Sequence, residues 1–100
     1  MEKLENVIFR NGYKYEKVLD LPLGFVYKQL SIESGSFVSF EVFKRRISPR
    51  KTSIIGGVEV EFKEKELFPT NEAFGEWAFT CPTMERVEVR LEQFKREAND

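Results

Sequence analysis

Most of the chain alternates between apolar and polar residues with a period of two, which is typical of strands with one buried face. Segments with strand character cover residues 7–10, 13–19, 25–32, 37–43, 58–62 and 76–80. Between the first two stands Asn11-Gly12, a dipeptide that favours the positive φ angles of a two-residue hairpin turn. We therefore predict an antiparallel sheet of four to five strands within residues 7–80, opening with a hairpin.

The pattern changes period near the C-terminus. Apolar residues there recur three or four positions apart, at Met84, Val87, Leu91, Phe94 and Ala98. This spacing predicts one amphipathic helix over about 83–98, with Thr83 as its N-cap. The apolar stripe of that helix can be buried only against a sheet face. We predict an α+β fold of two layers, formed by one compact domain over residues 1–100.

Composition narrows the chemistry that the domain can perform. The chain has 100 residues, enough for one hydrophobic core, with 41% apolar and 33% charged residues. It contains no histidine, which excludes histidine metal sites and Ser-His or Cys-His nucleophile pairs. The single cysteine cannot form an intrachain disulfide, and neither a signal peptide nor a membrane-length apolar stretch is recognisable. We expect a cytoplasmic protein without metal or cofactor and without membrane association.

A basic run is the strongest local charge feature. Five cations without an intervening acid occupy Lys44, Arg45, Arg46, Arg50 and Lys51, although the net charge is -1. Such cations can bind phosphate, and Phe37 and Phe43 beside them could stack on bases. Because nucleic-acid-binding domains are usually strongly basic overall, a solvated loop that protects a sheet edge is the plainer interpretation. Both interpretations stay open.

Two further sets of residues could carry chemistry. Glu59 and Glu61 share one face of a predicted strand, where they could bind a cation or a basic partner. The interspersed lysines indicate an open solvated face and not a catalytic pocket. Cys81 stands at the predicted helix start, where the dipole favours a thiolate. Without a histidine base, a small buried residue is the more typical role for that cysteine.

The C-terminal third resembles the ending of small uncharacterised proteins encoded by bacteriophages and mobile elements. The resemblance rests on residues 72–80, on Thr83-Met84-Glu85, and on Phe40-Glu41-Val42-Phe43-Lys44. It covers about a third of the chain and brings no catalytic residues with it. What it implies is an accessory role, in which such a protein binds and blocks a host protein, including a defence nuclease.

These features together favour a small non-enzymatic interaction module. We expect it to bind a host protein or another protein through the basic run, with Glu59 and Glu61 forming an oppositely charged face. The alternative is nucleic-acid binding through residues 44–51. A homodimer through a sheet edge or through the Phe37 and Phe43 face also stays open. Neither the strand order nor the partner can be read from the sequence.

Overall fold

A five-stranded antiparallel sheet lies at the centre of the structure, a computed structural model that describes residues 1–99. Within these residues the chain forms nine strands and one α-helix: β1 Val7–Arg10, β2 Tyr13–Leu21, β3 Gly24–Ser31, β4 Phe37–Lys44, β5 Ile47–Ser48, β6 Lys51–Ile55, β7 Val58–Phe62, β8 Lys65–Glu66, β9 Ala78–Cys81 and α1 Met84–Ala98. The strand order of the main sheet is β1-β2-β3-β4-β9. The predicted α+β fold, a sheet of four to five strands with one C-terminal helix, is confirmed.

The first hairpin follows from its turn residues. Asn11 and Gly12 have φ angles of 53° and 84°, both positive, as a tight two-residue hairpin turn requires. The turn places Arg10 opposite Tyr13, and from there the register continues along β1 and β2. The prediction of an opening hairpin is confirmed.

The turn between β2 and β3 leads into a glycine that is required for space. A Cβ atom on Gly24 would lie 2.4 Å from the carbonyl oxygen of Phe43 on the neighbouring strand. Gly24 is itself buried, and its register partner on β4 is Lys44. At this point the two strands approach so closely that only a residue without a side chain fits.

Helix α1 covers one face of the main sheet, over β3, β4 and β9. Its buried residues Val87 and Phe94 pack with Val26 and Val42. The Thr83 hydroxyl accepts a hydrogen bond from the backbone N–H of Arg86 at 3.3 Å, so the predicted N-cap is confirmed. Among residues 1–99, no helix has both the length and the apolar character needed to cross a bilayer.

The chain's own irregular segments cover the opposite face of the sheet. Phe25, Tyr27 and Phe43 are completely buried there. The ring centroids of Phe68 and Trp77, which precede β9, lie 5.4 and 6.3 Å from that of Phe43. The sequence had suggested Phe43 as a partner-binding residue, and this is corrected: Phe43 belongs to the aromatic core.

Residues 45–66 leave the main sheet and form two small two-stranded sheets. The pair β5 and β8 lies next to the main domain, and β6 and β7 form a hairpin around Gly56-Gly57. We call residues 50–63 the arm. The sequence pattern predicted that β7 has one buried face, yet Val58 is 63% and Phe62 is 40% exposed. That prediction is wrong, because no layer of the described chain covers the apolar face of β7.

Candidate functional site

The five cations of the basic run do not form one surface. Lys44 ends β4, Arg45 and Arg46 connect β4 to β5, and Arg50 and Lys51 stand at the base of the arm. Every one of them contacts a carboxylate or an aromatic ring of the protein itself. The charge that the run offers to a polyanion is therefore smaller and more divided than its sequence suggests.

Arg45 clamps the main sheet to the segment that carries β8. Its guanidinium pairs with the carboxylates of Asp20 and Glu66 and donates to the carbonyl oxygen of Leu21 at 2.9 Å. The guanidinium carbon also lies 4.2 Å from the centroid of the Phe25 ring. Burial raises the pKa of Asp20, but the neighbouring cations lower it more, so the net pKa lies below its ordinary value. Arg45 thus has a structural role.

The other four cations have simpler environments. Their partners are Glu97 for Lys44, Trp77 for Arg46, Glu61 for Arg50 and Phe62 for Lys51. Exposed ion pairs and cation–π contacts of this kind contribute little to stability. A charged partner can therefore compete for these four side chains far more easily than for Arg45.

The aromatic residues predicted beside the basic run are not close to it. Phe37 begins β4, where it is 46% exposed and contacts Phe40 with ring centroids 5.0 Å apart. Lys44 ends the same strand, roughly 23 Å away at the usual rise per residue. Phe43 is fully buried. The structure therefore does not bring the cations together with Phe37 or Phe43 as the predicted base-stacking site would require.

The predicted acidic residues lie on the arm. Glu59 and Glu61 are exposed and lie on the same side of β7, opposite Ile54 and Thr52 of β6. Glu61 pairs with Arg50. In the part of the chain that the structure describes, no three acidic, cysteine or histidine side chains converge as a metal site needs. The two glutamates therefore form part of the charged surface of the arm and not a separate site.

Cys81 is the last residue of β9 and is only 3% exposed. Burial raises the pKa of its thiol, which favours the protonated and unreactive form at neutral pH. The thiol packs in the cluster beneath α1. The position at the helix start was predicted correctly, and its environment opposes thiolate chemistry.

The tip of the arm carries the most exposed cluster of apolar side chains on the molecule's hairpins. Ile54, Ile55 and Val58 are 78%, 57% and 63% exposed and surround the Gly56-Gly57 turn. Both glycines have positive φ angles, which fit a tight turn. Within residues 1–99, β6 and β7 pair only with each other. The arm thus presents two open strand edges and an apolar tip.

Pairing within the arm divides its side chains between two faces. Opposed residues share a face, so the apolar face carries the pairs Lys51 and Phe62, Ser53 and Val60, and Ile55 and Val58. The other face carries Thr52 with Glu61 and Ile54 with Glu59. One side of the arm is mainly apolar, and the other combines an apolar tip with carboxylates.

The exposed tip could have been predicted from two adjacent isoleucines in the sequence, although the alternating pattern of β7 suggested a buried face. Ile54 and Ile55 are consecutive residues of one strand, so their side chains must point to opposite faces. In a two-stranded arm with one covered side, at least one of them has to meet solvent. Two adjacent isoleucines beside a Gly-Gly turn therefore indicate an exposed apolar tip.

No protein family model matches the chain, and no curated protein or solved structure is detectably similar to it. The resemblance of the C-terminal third to bacteriophage and mobile-element proteins therefore stays a prediction. The function is therefore inferred from the surface of the protein, above all from the arm.

Proposed function

We propose that the protein is a non-enzymatic interaction module that binds another protein through the arm. The observation that carries this proposal is the exposure of Ile54, Ile55 and Val58 at the end of a hairpin to which residues 1–99 add no third strand. Exposed apolar patches on small soluble domains commonly mark protein interfaces. Of the basic run, which the sequence favoured as the binding surface, only Arg50 and Lys51 belong to the arm, at its base.

Energetic considerations favour docking of the tip. A two-stranded hairpin is only marginally stable by itself in water. Burial of one large aliphatic side chain contributes about 1.5–3 kcal/mol. Insertion of the three tip residues into a partner would thus both stabilise the hairpin and supply the apolar core that protein interfaces have.

The charges on the arm indicate what partner it fits. Glu59 lies beside the apolar tip, and among the described residues it has no ion-pair partner. A complementary surface would be an apolar groove with a lysine or arginine at its rim. A more specific version of the proposal is that the partner is a host protein whose activity the arm blocks. This version rests on the resemblance to bacteriophage and mobile-element proteins alone.

The proposal is tested by affinity capture with matched double variants. Ile54→Ser with Val58→Ser removes the tip, and Val7→Ser with Phe9→Ser removes two exposed apolar residues of the first hairpin as a control. We expect proteins recovered by the wild type and by the control to be lost with the tip variant. For a purified partner, the tip variant should bind about a hundredfold or more weakly.

Four outcomes contradict the proposal. Equal recovery with the tip variant would show that the arm is not the contact. If the wild type captures no specific protein, the proposal of a protein partner is contradicted. Recovery that disappears on nuclease treatment would favour nucleic acid, and tip-dependent self-association in light scattering would favour a second copy of the chain. Circular dichroism of both variants verifies that the fold is intact.

A further inference from the structure

A cavity of about 260 Å³ opens on the face of the sheet opposite α1, beside the β1–β2 turn. Its lining includes Arg10, Tyr15, Glu41, Phe68, Asn71 and Phe74. The cavity lies on the main domain, and none of its lining residues belongs to the arm. It combines a carboxylate, a guanidinium, a phenol and two apolar rings in a small volume.

The carboxyl group of Glu41 is buried but incompletely satisfied. Glu41 is 4% exposed, and its Oε2 accepts a hydrogen bond from the Thr80 hydroxyl at 2.9 Å. The Ser39 hydroxyl lies 2.8 Å from Gln29 Oε1 and 3.5 Å from Glu41 Oε1. A hydroxyl has a single hydrogen, and the shorter contact takes it. Glu41 Oε1 is therefore left without a firm donor.

Glu41 also lacks a cation to balance its charge. No ion pair involving it occurs in residues 1–99, and its neighbours Ser39 and Thr80 are neutral. Burial raises the pKa of the Glu41 carboxyl. An uncompensated buried carboxyl group costs stability, which makes it a candidate for a ligand-binding role.

Arg10 supplies the opposite charge on the cavity wall. It donates from Nη1 to the Pro69 carbonyl oxygen at 3.1 Å, and its guanidinium carbon lies 5.1 Å from the centroid of the Phe68 ring. These contacts hold Arg10 in place without an ion pair to Glu41. Both charges act on Tyr15: burial and then Glu41 raise the pKa of the phenol, and Arg10 lowers it.

We propose that this cavity binds a small zwitterion of the α-amino-acid class, with its ammonium group at Glu41 and its carboxylate at Arg10. The cavity wall carries one basic and one acidic side chain that do not pair with each other, which suits a ligand with both charges. The volume of about 260 Å³ is below the roughly 300–1,000 Å³ of pockets for drug-sized molecules, which suits a ligand of the size of an amino acid. Phe68 and Phe74 provide apolar contact for its side chain.

The test is an NMR titration of the protein with glycine, L-alanine, L-serine and L-leucine at millimolar concentrations. Acetate and ethylamine, which each carry one of the two charges, serve as comparison ligands. We expect shifts at the side-chain amide of Asn71 and at the backbone around Tyr15 with at least one amino acid. Neither single-charge ligand should match its affinity.

Two variants locate the site. Glu41→Gln preserves the shape of the side chain and should weaken binding by about ten- to a hundredfold. Glu33→Gln changes an exposed glutamate in the β3–β4 turn and should leave binding unchanged. The proposal is overturned by the absence of shifts with all four amino acids, by full affinity in the Glu41→Gln variant, or by equal binding of ethylamine or acetate.

Discussion

At the scale of single residues, the fold buries two glutamates, Glu41 and Glu66, in different environments. Glu41 is buried among neutral donors, whereas Glu66, which is also buried, has the guanidinium of Arg45 and the backbone N–H of Leu4. The same side-chain type is thus compensated at one site and uncompensated at the other. A buried and uncompensated ionisable group is a candidate for a functional role for this reason.

The Glu41 carboxyl should make stability depend on pH in an unusual direction. Because burial raises its pKa in the folded state, the folded protein holds this proton more tightly than the unfolded chain does. Its contribution is most favourable below the unfolded-state pKa of about 4.3, and it is lost as pH rises through the folded-state pKa. Glu41→Gln should therefore raise the free energy of unfolding at neutral pH, with the gain disappearing in acid.

Urea unfolding of the wild type and the Glu41→Gln variant, at neutral pH and near pH 4, measures this difference. Glu33→Gln, at an exposed turn position, is the control and should show no comparable gain. A variant that is less stable than the wild type at neutral pH would show that the carboxylate is better solvated than its burial indicates. In the two experiments together, Glu41→Gln should stabilise the fold and weaken the binding of amino acids.

Arg45 and Arg46 are adjacent and should differ sharply on substitution. Arg45→Met leaves the buried carboxylate of Glu66 without its cation, which should cost about 3 kcal/mol in the free energy of unfolding. Arg46→Met removes only a guanidinium lying 5.3 Å from the Trp77 centroid and should cost less than about 1 kcal/mol. Denaturant unfolding compares them, and equal losses would contradict the clamp.

At the scale of elements, the close approach of β3 and β4 depends on Gly24. Gly24→Ala should cost about 3 kcal/mol, because its Cβ would meet the backbone carbonyl oxygen of Phe43, which cannot turn aside. Gly35→Ala is the matched control: its φ is +73° but nothing lies within 4 Å of the added carbon. It should cost about 1–2 kcal/mol from backbone strain. Thermal unfolding that ranks Gly35→Ala as the more damaging would contradict this account.

The elements that the sequence predicted well are those set by local chemistry. Asn11-Gly12 specifies its own turn, and the stripe from Met84 to Phe94 specifies a helix with Thr83 as its cap. The ion pairs of Arg45 could not be predicted from the sequence, because its two carboxylate partners lie 25 and 21 residues away along the chain. A charge run read alone gives no information about distant partners, so the basic run looked like one free surface.

A second property that the sequence did not predict is which strand faces are covered by another layer. Alternation shows that a strand has one apolar side, but it does not show whether another layer lies against that side. In β4 the side of Phe43 is covered by the chain's own Phe68 and Trp77, whereas in β7 the side of Val58 and Phe62 is open. The two patterns are similar in sequence and opposite in structure.

At the scale of the whole molecule, the protein is extended for its length. The radius of gyration is 15.5 Å, against about 13 Å for a compact domain of 100 residues. The main sheet has two covered faces and two separate aromatic and aliphatic clusters. The arm contributes to neither cluster. Stability and the proposed protein contact are therefore located in different parts of the chain.

This separation predicts that the arm can be shortened without unfolding the domain. Replacing residues 54–59 by Asn-Gly would join Ser53 to Val60, which are already register partners. They lie two positions along from Ile55 and Val58, so the new two-residue turn would close the same kind of pair as the present Gly56-Gly57 turn. Since no core residue is removed, Tm should change by less than about 4 °C, which corresponds to about 1 kcal/mol for a domain of this size. Hydrogen exchange of the intact protein should likewise show faster exchange for amides of β6 and β7 than for those of β3 and β4.

The shortened protein also separates the two proposed binding activities. It should lose capture of the protein partner, because the tip is gone, and keep amino-acid binding at Glu41, because the cavity lies on the main sheet. A large fall in Tm would show that the arm supports the core. Loss of amino-acid binding with the fold intact would show that the cavity depends on the arm, contrary to the lining that the structure gives it.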